Sequence, residues 1–365
     1  MQRSTYFSSS FLTNKAVYAS RPILLALISL TSGALLAQER IVSIAAVGDI
    51  MLGTDYPDDR LAANDGADFL NNVAPVLRSA DVTVGNLEGV ILAGGTASKI
   101  CANPSACYLF RSPPHYAGYL RDAGFDALSI ANNHARDFGE HGRSSTMLTL
   151  DRYELQHSGR RGDIASWRQD GLSIAFIAYS PTRLSYLLND IPTAVVQLAE
   201  LASEHDLVIV SFHGGAEGEM ATSLPFEEEF YLGETRGEVV RFSHAAVDAG
   251  ADLVIGHGPH VPRAIELYRG RLIAYSLGNF ATHVGVSVNG TAGLAPLLWV
   301  NINESGEFIS GKIYSGLQQR PNGPRWDEEQ RAYQLVRQLT RESFGNEIFL
   351  FEDDGSFQPF INRQP

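Results

Sequence analysis

Leu253-Val-Ile-Gly-His-Gly-Pro-His260 is a short run of branched apolar residues that stops at a Gly/Pro loop carrying two histidines. Apolar runs bounded by turn residues mark buried strands, and in α/β sheets the reactive groups lie just beyond the strands' carboxyl ends. The same pattern recurs along the chain: Gly48-Asp49 after Ala45–Val47, Gly85-Asn86-Leu87-Glu88 after Val82–Val84, and Asn132-Asn133-His134 after Leu128–Ala131. It returns as His213-Gly214-Gly215 after Leu207–Phe212 and as Gly278-Asn279 after Leu272–Leu277. Carboxylate, amide oxygen and imidazole are ligands for hard and borderline metals. The recurrence therefore reads as one site, and a hydrolytic di-metal centre is the first expectation.

Around these strand ends the pattern from Ile41 to about Phe280 alternates strand, loop and helix. Asp65–Ala80 places Phe69, Val73, Val76 and Leu77 on one helical face. Tyr116–Ala123 before Gly124, and Glu238–Ala249 before Gly250, read as helices ending in a glycine, and Val195–Ser203 precedes the next strand. Strands alternating with helices predict an α/β fold with a largely parallel sheet covered by helices. After Phe280 the texture changes. Leu297–Asn303 and Phe308–Tyr314 read as two strands around the turn Asn303–Gly306, adding an antiparallel edge, and Glu328–Glu342 is an amphipathic helix. The expected division is an N-terminal segment (1–37), a main domain (41–320) and a C-terminal appendage (321–365).

Composition narrows the function classes. With 44% hydrophobic and 19% charged residues the chain can bury a full core, and its net charge of −13 argues against nucleic-acid partners, which need Lys and Arg to neutralise phosphates. Arg3, Lys15 and Arg21 precede an apolar run over Pro22–Ala37, and no acidic residue occurs before Glu39. That order predicts a secretory signal, with an uncleaved membrane anchor as the alternative; either exports the body to the periplasm or cell surface. Cys101 and Cys107, the only cysteines, flank a tight Asn-Pro-Ser loop and in an exported chain predict a disulfide. So short a loop gains roughly 2 kcal/mol from closure entropy, enough to pin a local segment. A zinc pair is the alternative, without a third ligand nearby.

The individual residues carry the chemistry. His257 and His260, three apart on a Gly/Pro loop, can be aimed at one point, and His213 also follows a buried strand. Asp49 closes the first strand, where a turn or capping aspartate is the bland alternative. Asn86 and Glu88, two apart on an extended segment, share a face. Asn133 offers an amide oxygen to a metal, His134 a titratable proton donor, and Asp137 a carboxylate able to orient the His134 ring; Asn132 reads as a turn residue. Cations among these groups would generate hydroxide near neutral pH and stabilise charge on substrate oxygens, with His134 protonating the leaving group as general acid.

The ordered set Gly48-Asp49, Gly85–Glu88, Phe110-Arg-Ser-Pro-Pro114, Ala131–His134 with Asp137–Gly139, His213–Gly215, Gly256–His260 and Tyr275–Phe280 resembles the capsule-synthesis CapA family. That family, also called poly-gamma-glutamate capsule biosynthesis proteins, lies in the calcineurin-like metallophosphatase superfamily, and the resemblance covers about Ile41 to Phe280. It implies a four-layer αββα sandwich, export, and a role in anionic polymer or cell-envelope metabolism. Position by position it implies Asp49, Glu88, Asn133, His213, His257 and His260 as ligands for divalent metal, two ions of Mn, Fe, Zn or Mg. Met51 stands where the wider superfamily has a ligand histidine, which leaves one metal an imidazole short. Asn86 stands where a bridging aspartate is expected, with Glu88 as the substitute, and is assigned with Arg111 to substrate binding. The Arg111 guanidinium would grip carboxylate or phosphate bidentately, the alternative being a surface salt bridge.

Three functions compete. The first is a metal-dependent hydrolase of a phosphoester or of an amide link in an anionic polymer. The second is a non-catalytic polymer-binding subunit of a membrane synthesis or export complex, and the third a scaffold holding structural metal. A proton donor at His134 favours the first, since a structural metal has no use for one.

Overall fold

A computed structural model of the protein describes residues 40–100 and 107–360. The expected leader over 1–37 and Cys101, one half of the expected disulfide, lie outside the described residues. No helix among the described residues is long and apolar enough to cross a membrane.

Two sheets carry the fold. The first is ten-stranded and runs Phe349–Phe351, Ser356–Pro359, Phe308–Gln318, Leu294–Asn303, Ile41–Met51, Val82–Leu87, Ala127–Ser129 and Gln156–Ser158, with Asn279–Thr282 also paired to Ile41–Met51 and Pro324–Trp326 to Phe308–Gln318. The second is seven-stranded and centres on Leu172–Ser180, Leu207–His213, Leu253–His257 and Arg271–Ala274. Strand side chains alternate between faces, so each sheet has two apolar surfaces to cover. Val42, Ile44 and Ala46 point into a core shared with Phe176, Ile209 and Ile255 of the other sheet. Ala45 and Val47, the alternate residues, pack against Leu77, Leu120 and Leu150 from helices outside. Across the molecule Val208, Val210 and Val254 meet Leu198, Phe242 and Ala246 of the helices Ile191–Glu204 and Val239–Asp248. Helix, sheet, sheet and helix are thus stacked around one central and two flanking cores. Burying each such aliphatic side chain stabilises by about 1.5–3 kcal/mol.

The helix Tyr116–Ala123 ends as its sequence predicts, with Gly124 in the left-handed region at φ 102°. The central strands of both sheets run parallel, and the antiparallel edge expected after Phe280 is present: Leu294–Asn303 pairs antiparallel with both Ile41–Met51 and Phe308–Gln318, the short Asn303–Gly306 turn returning the chain alongside itself. One expectation changes. The continuous helix expected over Asp65–Ala80 is a 3-10 turn at Ala63–Gly66 and a single helical turn at Ala74–Leu77. Asn64 and Asp65 adopt left-handed φ of 53°, and Pro75 sits in the first turn of the short helix, where its missing N–H costs nothing. Phe69, Val73 and Leu77 are buried all the same, so the apolar spacing is used by turns.

Register brings the strand ends together. In the first sheet Asp49 pairs with Asn86 on one side and Asn279 on the other. In the second, His213 pairs with His257. Gly48 makes the first alignment work: Asp49 N–H donates to Gly278 O at 2.9 Å, and a Cβ on Gly48 would lie 2.0 Å from that same oxygen. Gly48→Ala is expected to cost roughly 1–3 kcal/mol through backbone displacement, read as a lower urea midpoint with an unchanged m-value.

Candidate metal and catalytic centre

Asp49, Asn86, Glu88 and His213 are completely or almost completely buried, and His257 is 1% exposed. Asn86 lies between the two acids, its Nδ2 donating to Asp49 Oδ1 at 2.8 Å and to Glu88 Oε2 at 2.7 Å. Its Oδ1 accepts from Asn132 Nδ2 at 3.1 Å. An aspartate here would crowd a third buried carboxyl against the other two; an amide donates to both. Asn86 is therefore a strut inside the centre, and the assignment to substrate binding is corrected, because both ends of its amide are engaged.

One oxygen each of Asp49 and Glu88 and one ring nitrogen of His213 lie within 4.8 Å of one another, the spacing of donors around a single ion. Glu88 Oε1, both nitrogens of His213, His257 Nδ1 and Asn133 Oδ1 are buried without a hydrogen-bond partner among the described residues. Leaving such atoms unpaired costs about 1–3 kcal/mol apiece, so an orphaned set of carboxylate, imidazole and amide donors fits a divalent cation. Behind Asp49 stand His257, with Nδ1 3.6 Å from Oδ1, and His260, with Nδ1 2.8 Å from Oδ2. His260 holds a strained φ of 60°, kept there by Asn279, whose Oδ1 is 3.1 Å from Nδ1 and whose Nδ2 donates to His260 O.

The electrostatics match this geometry. Burial opposes the Asp49 charge, but the hydrogen bond to His260 and the nearby imidazoles outweigh it and hold the carboxyl at about 2. Glu88 is pushed up to about 8, by burial first and by the Asp49 charge second. Burial opposes the His260 charge, but the hydrogen bond it donates to Asp49 and the negative charge there hold its proton and raise its pKa to about 10. Burial lowers His257 to about 4 and takes His213 well below the usual range, leaving both rings neutral.

Beside this set, His134 Nδ1 is 2.8 Å from Asp137 Oδ2, while Nε2 lies 4.0 Å from Glu88 Oε1. Asp137 Oδ2 also accepts from Phe110 N–H at 2.9 Å, and the Phe110 ring lies over the His134 ring with centroids 4.4 Å apart. Burial lowers the His134 pKa against the pull of Asp137. Asn132 Oδ1 accepts the His134 N–H, the turn role expected of it. Arg111 is not aimed at the centre: Nε donates to Asp55 Oδ1 at 2.6 Å, Nη1 to Gly95 O and Nη2 to Asp55 O. Its face covers Tyr56 and Phe138. The substrate-binding assignment is corrected to a largely buried ion pair, because these acceptors already occupy the guanidinium. Met51 is fully buried.

Sequence reasoning passed over Asn279, Phe110, Glu217 and Lys99. Asn279 ends one of the apolar runs, and Phe110 adjoins Arg111, so both carried a signal. Glu217 and Lys99 carried none: Glu217 Oε2 is 4.0 Å from His260 Nε2, and Lys99 Nζ is 2.9 Å from Asp137 Oδ1 through loop folding alone.

The sequence profile described as bacterial capsule synthesis protein PGA_cap matches residues 43–284, well over half the chain and the whole of this centre. The chain is similar to the PGA biosynthesis protein CapA of Bacillus subtilis, 26% identical over 357 residues covering 91% of this chain and 88% of that protein. It is also similar to the capsule biosynthesis protein CapA of Bacillus anthracis, 24% identical over 336 residues covering 86% and 76%. Among solved structures, the calcineurin-like phosphoesterase YfkN of Bacillus subtilis overlaps 84% of this chain and 99% of that chain at 13% identity and a TM-score of 0.43. By the extent of the profile match, this chain belongs to the bacterial capsule synthesis protein family PGA_cap.

Proposed function

We propose that the protein is an exported, metal-dependent hydrolase serving capsule, poly-γ-glutamate or related cell-envelope polymer metabolism, cutting a phosphoester or amide bond. The observation that carries this reading is the buried His134–Asp137 pair set against the closely spaced Asp49, Glu88 and His213, with Glu88 Oε1 and both His213 nitrogens left without hydrogen-bond partners among the described residues. The basic-then-apolar N-terminal segment supports export to the periplasm or cell surface. Asp49, Glu88 and His213 would hold one cation, with Asn133, His257 and His260 completing the ligands of a pair. Divalent cations held there supply hydroxide at neutral pH and positive charge for the substrate's oxygens.

The chain's own residues do the rest. Asp137 accepts a hydrogen bond from His134 Nδ1–H and fixes the ring, leaving the Nε2–H of the imidazolium to give its proton to the departing group. An anionic substrate beside the ring favours the imidazolium and offsets the lowering that burial imposes. Phe110 covers one ring face and limits access of water to the pair.

Two measurements test this. His134→Ala should lower kcat on bis-p-nitrophenyl phosphate or poly-γ-glutamate about 10²–10⁴-fold with bound metal unchanged; wild-type protein inactive on both substrates would refute the hydrolase. Metal affinity should depend on pH with a definite sign. Above pH 6 His257 and His213 are already neutral, so for the cation held by Asp49, Glu88 and His213 the proton to displace is the one on Glu88, whose pKa is about 8, whereas a second cation on His260 would also displace that ring's proton, whose pKa is about 10. Binding of the first Mn²⁺ equivalent to chelator-stripped protein should tighten about ten-fold per pH unit up to about 8 and then level. In Glu88→Gln the slope should vanish; a flat wild-type profile between pH 6 and 8 would count against Glu88 as a ligand.

A further inference from the structure

Next to the His134–Asp137 pair, reached through Lys99, lies a cavity of about 290 Å³ lined in part by Lys99, Asn133, Arg136, Arg143, Thr182 and Arg183. Four cationic side chains frame it in a chain whose net charge is −13. Their acidic partners are fewer. Glu140 alone serves Arg136 and Arg143, each at 2.7 Å, and Arg143 also donates to Leu184 O at 3.1 Å. Lys99 Nζ reaches Asp137 Oδ1 and the Asn133 carbonyl oxygen, both at 2.9 Å. Arg183 is exposed and has no acidic partner among the described residues. Counting Glu140 and Asp137 against the four bases leaves the cavity with an excess of two positive charges. Arg143, 3% exposed, is held rigidly, so part of this positive wall is preorganised.

We infer that this cavity is a subsite for an anionic group of the substrate, carboxylate or phosphate, flanking the bond that His134 serves. Lys99 links the two places physically: the same ammonium that faces the cavity holds Asp137 and the Asn133 backbone, so an anion drawn there sits one side chain from the proton donor. Arg183 and Lys99 supply the charge-assisted hydrogen bonds, and Arg143 the fixed field behind them. The role beside a scissile bond rests on the hydrolase reading above; the binding itself does not.

The test separates the two. Full-length protein held in chelator, so that bound metal cannot recruit the ligand, is titrated at low ionic strength with γ-linked triglutamate and with inorganic triphosphate. One of them should bind, triglutamate marking a carboxylate polymer and triphosphate a phosphate-bearing one. Arg183→Glu should weaken that binding about ten-fold, while Arg325→Glu, at an exposed position on the strand Pro324–Trp326 and outside the cavity lining, should leave it unchanged. Binding by neither ligand, or equal weakening in both variants, would overturn the subsite. Hydrolysis of bis-p-nitrophenyl phosphate and of poly-γ-glutamate is assayed apart, on metal-loaded protein: no turnover of either with Arg183-dependent binding retained rejects the hydrolase and keeps the anion site.

Discussion

Two carboxylates, Asp49 and Glu88, are buried within hydrogen-bonding reach of a single amide nitrogen, and the rest of the centre is arranged around their repulsion. Unscreened like charges in a protein interior cannot both ionise without a counter-charge. The structure divides the burden. Asp49 keeps its charge by pairing with His260, Glu88 keeps its proton, and Asn86 donates to both. Such a site is poised for a cation, since one positive ion among these oxygens removes the repulsion and satisfies the donor atoms left without partners.

That constraint explains features of the fold far from any ligand. Asp49 and Asn86 can meet because parallel neighbours bring their carboxyl ends to the same edge, and His213 and His257 meet by the same rule in the other sheet. The core between the sheets then sets the distance across which the acids face the imidazoles. The loop ends are held by close backbone approach: Gly48 against Gly278, and Gly258 in the left-handed region with Gly214 beside it. A side chain at either place would push apart the loops that carry Asp49, Asn279, His257 and His260.

Much of this was legible in one sequence because buried strands and catalytic loops leave opposite compositional marks. The helix Tyr116–Ala123 and the Asn303–Gly306 turn follow from local signals, a terminal glycine and a polar break. Asp65–Ala80 misled because apolar spacing of three and four serves consecutive turns as well as a helix, and the left-handed Asn64 and Asp65 break the run. Arg111 and Asn86 misled for another reason. Their residue types suit substrate binding, but whether a guanidinium or amide is free depends on neighbours 56 and 37 positions away in sequence, Asp55 and Asp49.

What the sequence determined by itself is the grammar: apolar strands, each ending in a carboxylate, amide or imidazole, in an order diagnostic of the family, with His134 three residues before Asp137. Those are local facts, carried by composition and spacing. The tertiary structure alone decided which polar groups face one another, that Asn86 is a strut, that Arg111 is engaged by Asp55, that Phe110 lids His134, and that Lys99 joins Asp137 to a cationic cavity. Each depends on how two sheets and their loops close in space, and closure is set by long-range packing that no short window of sequence contains.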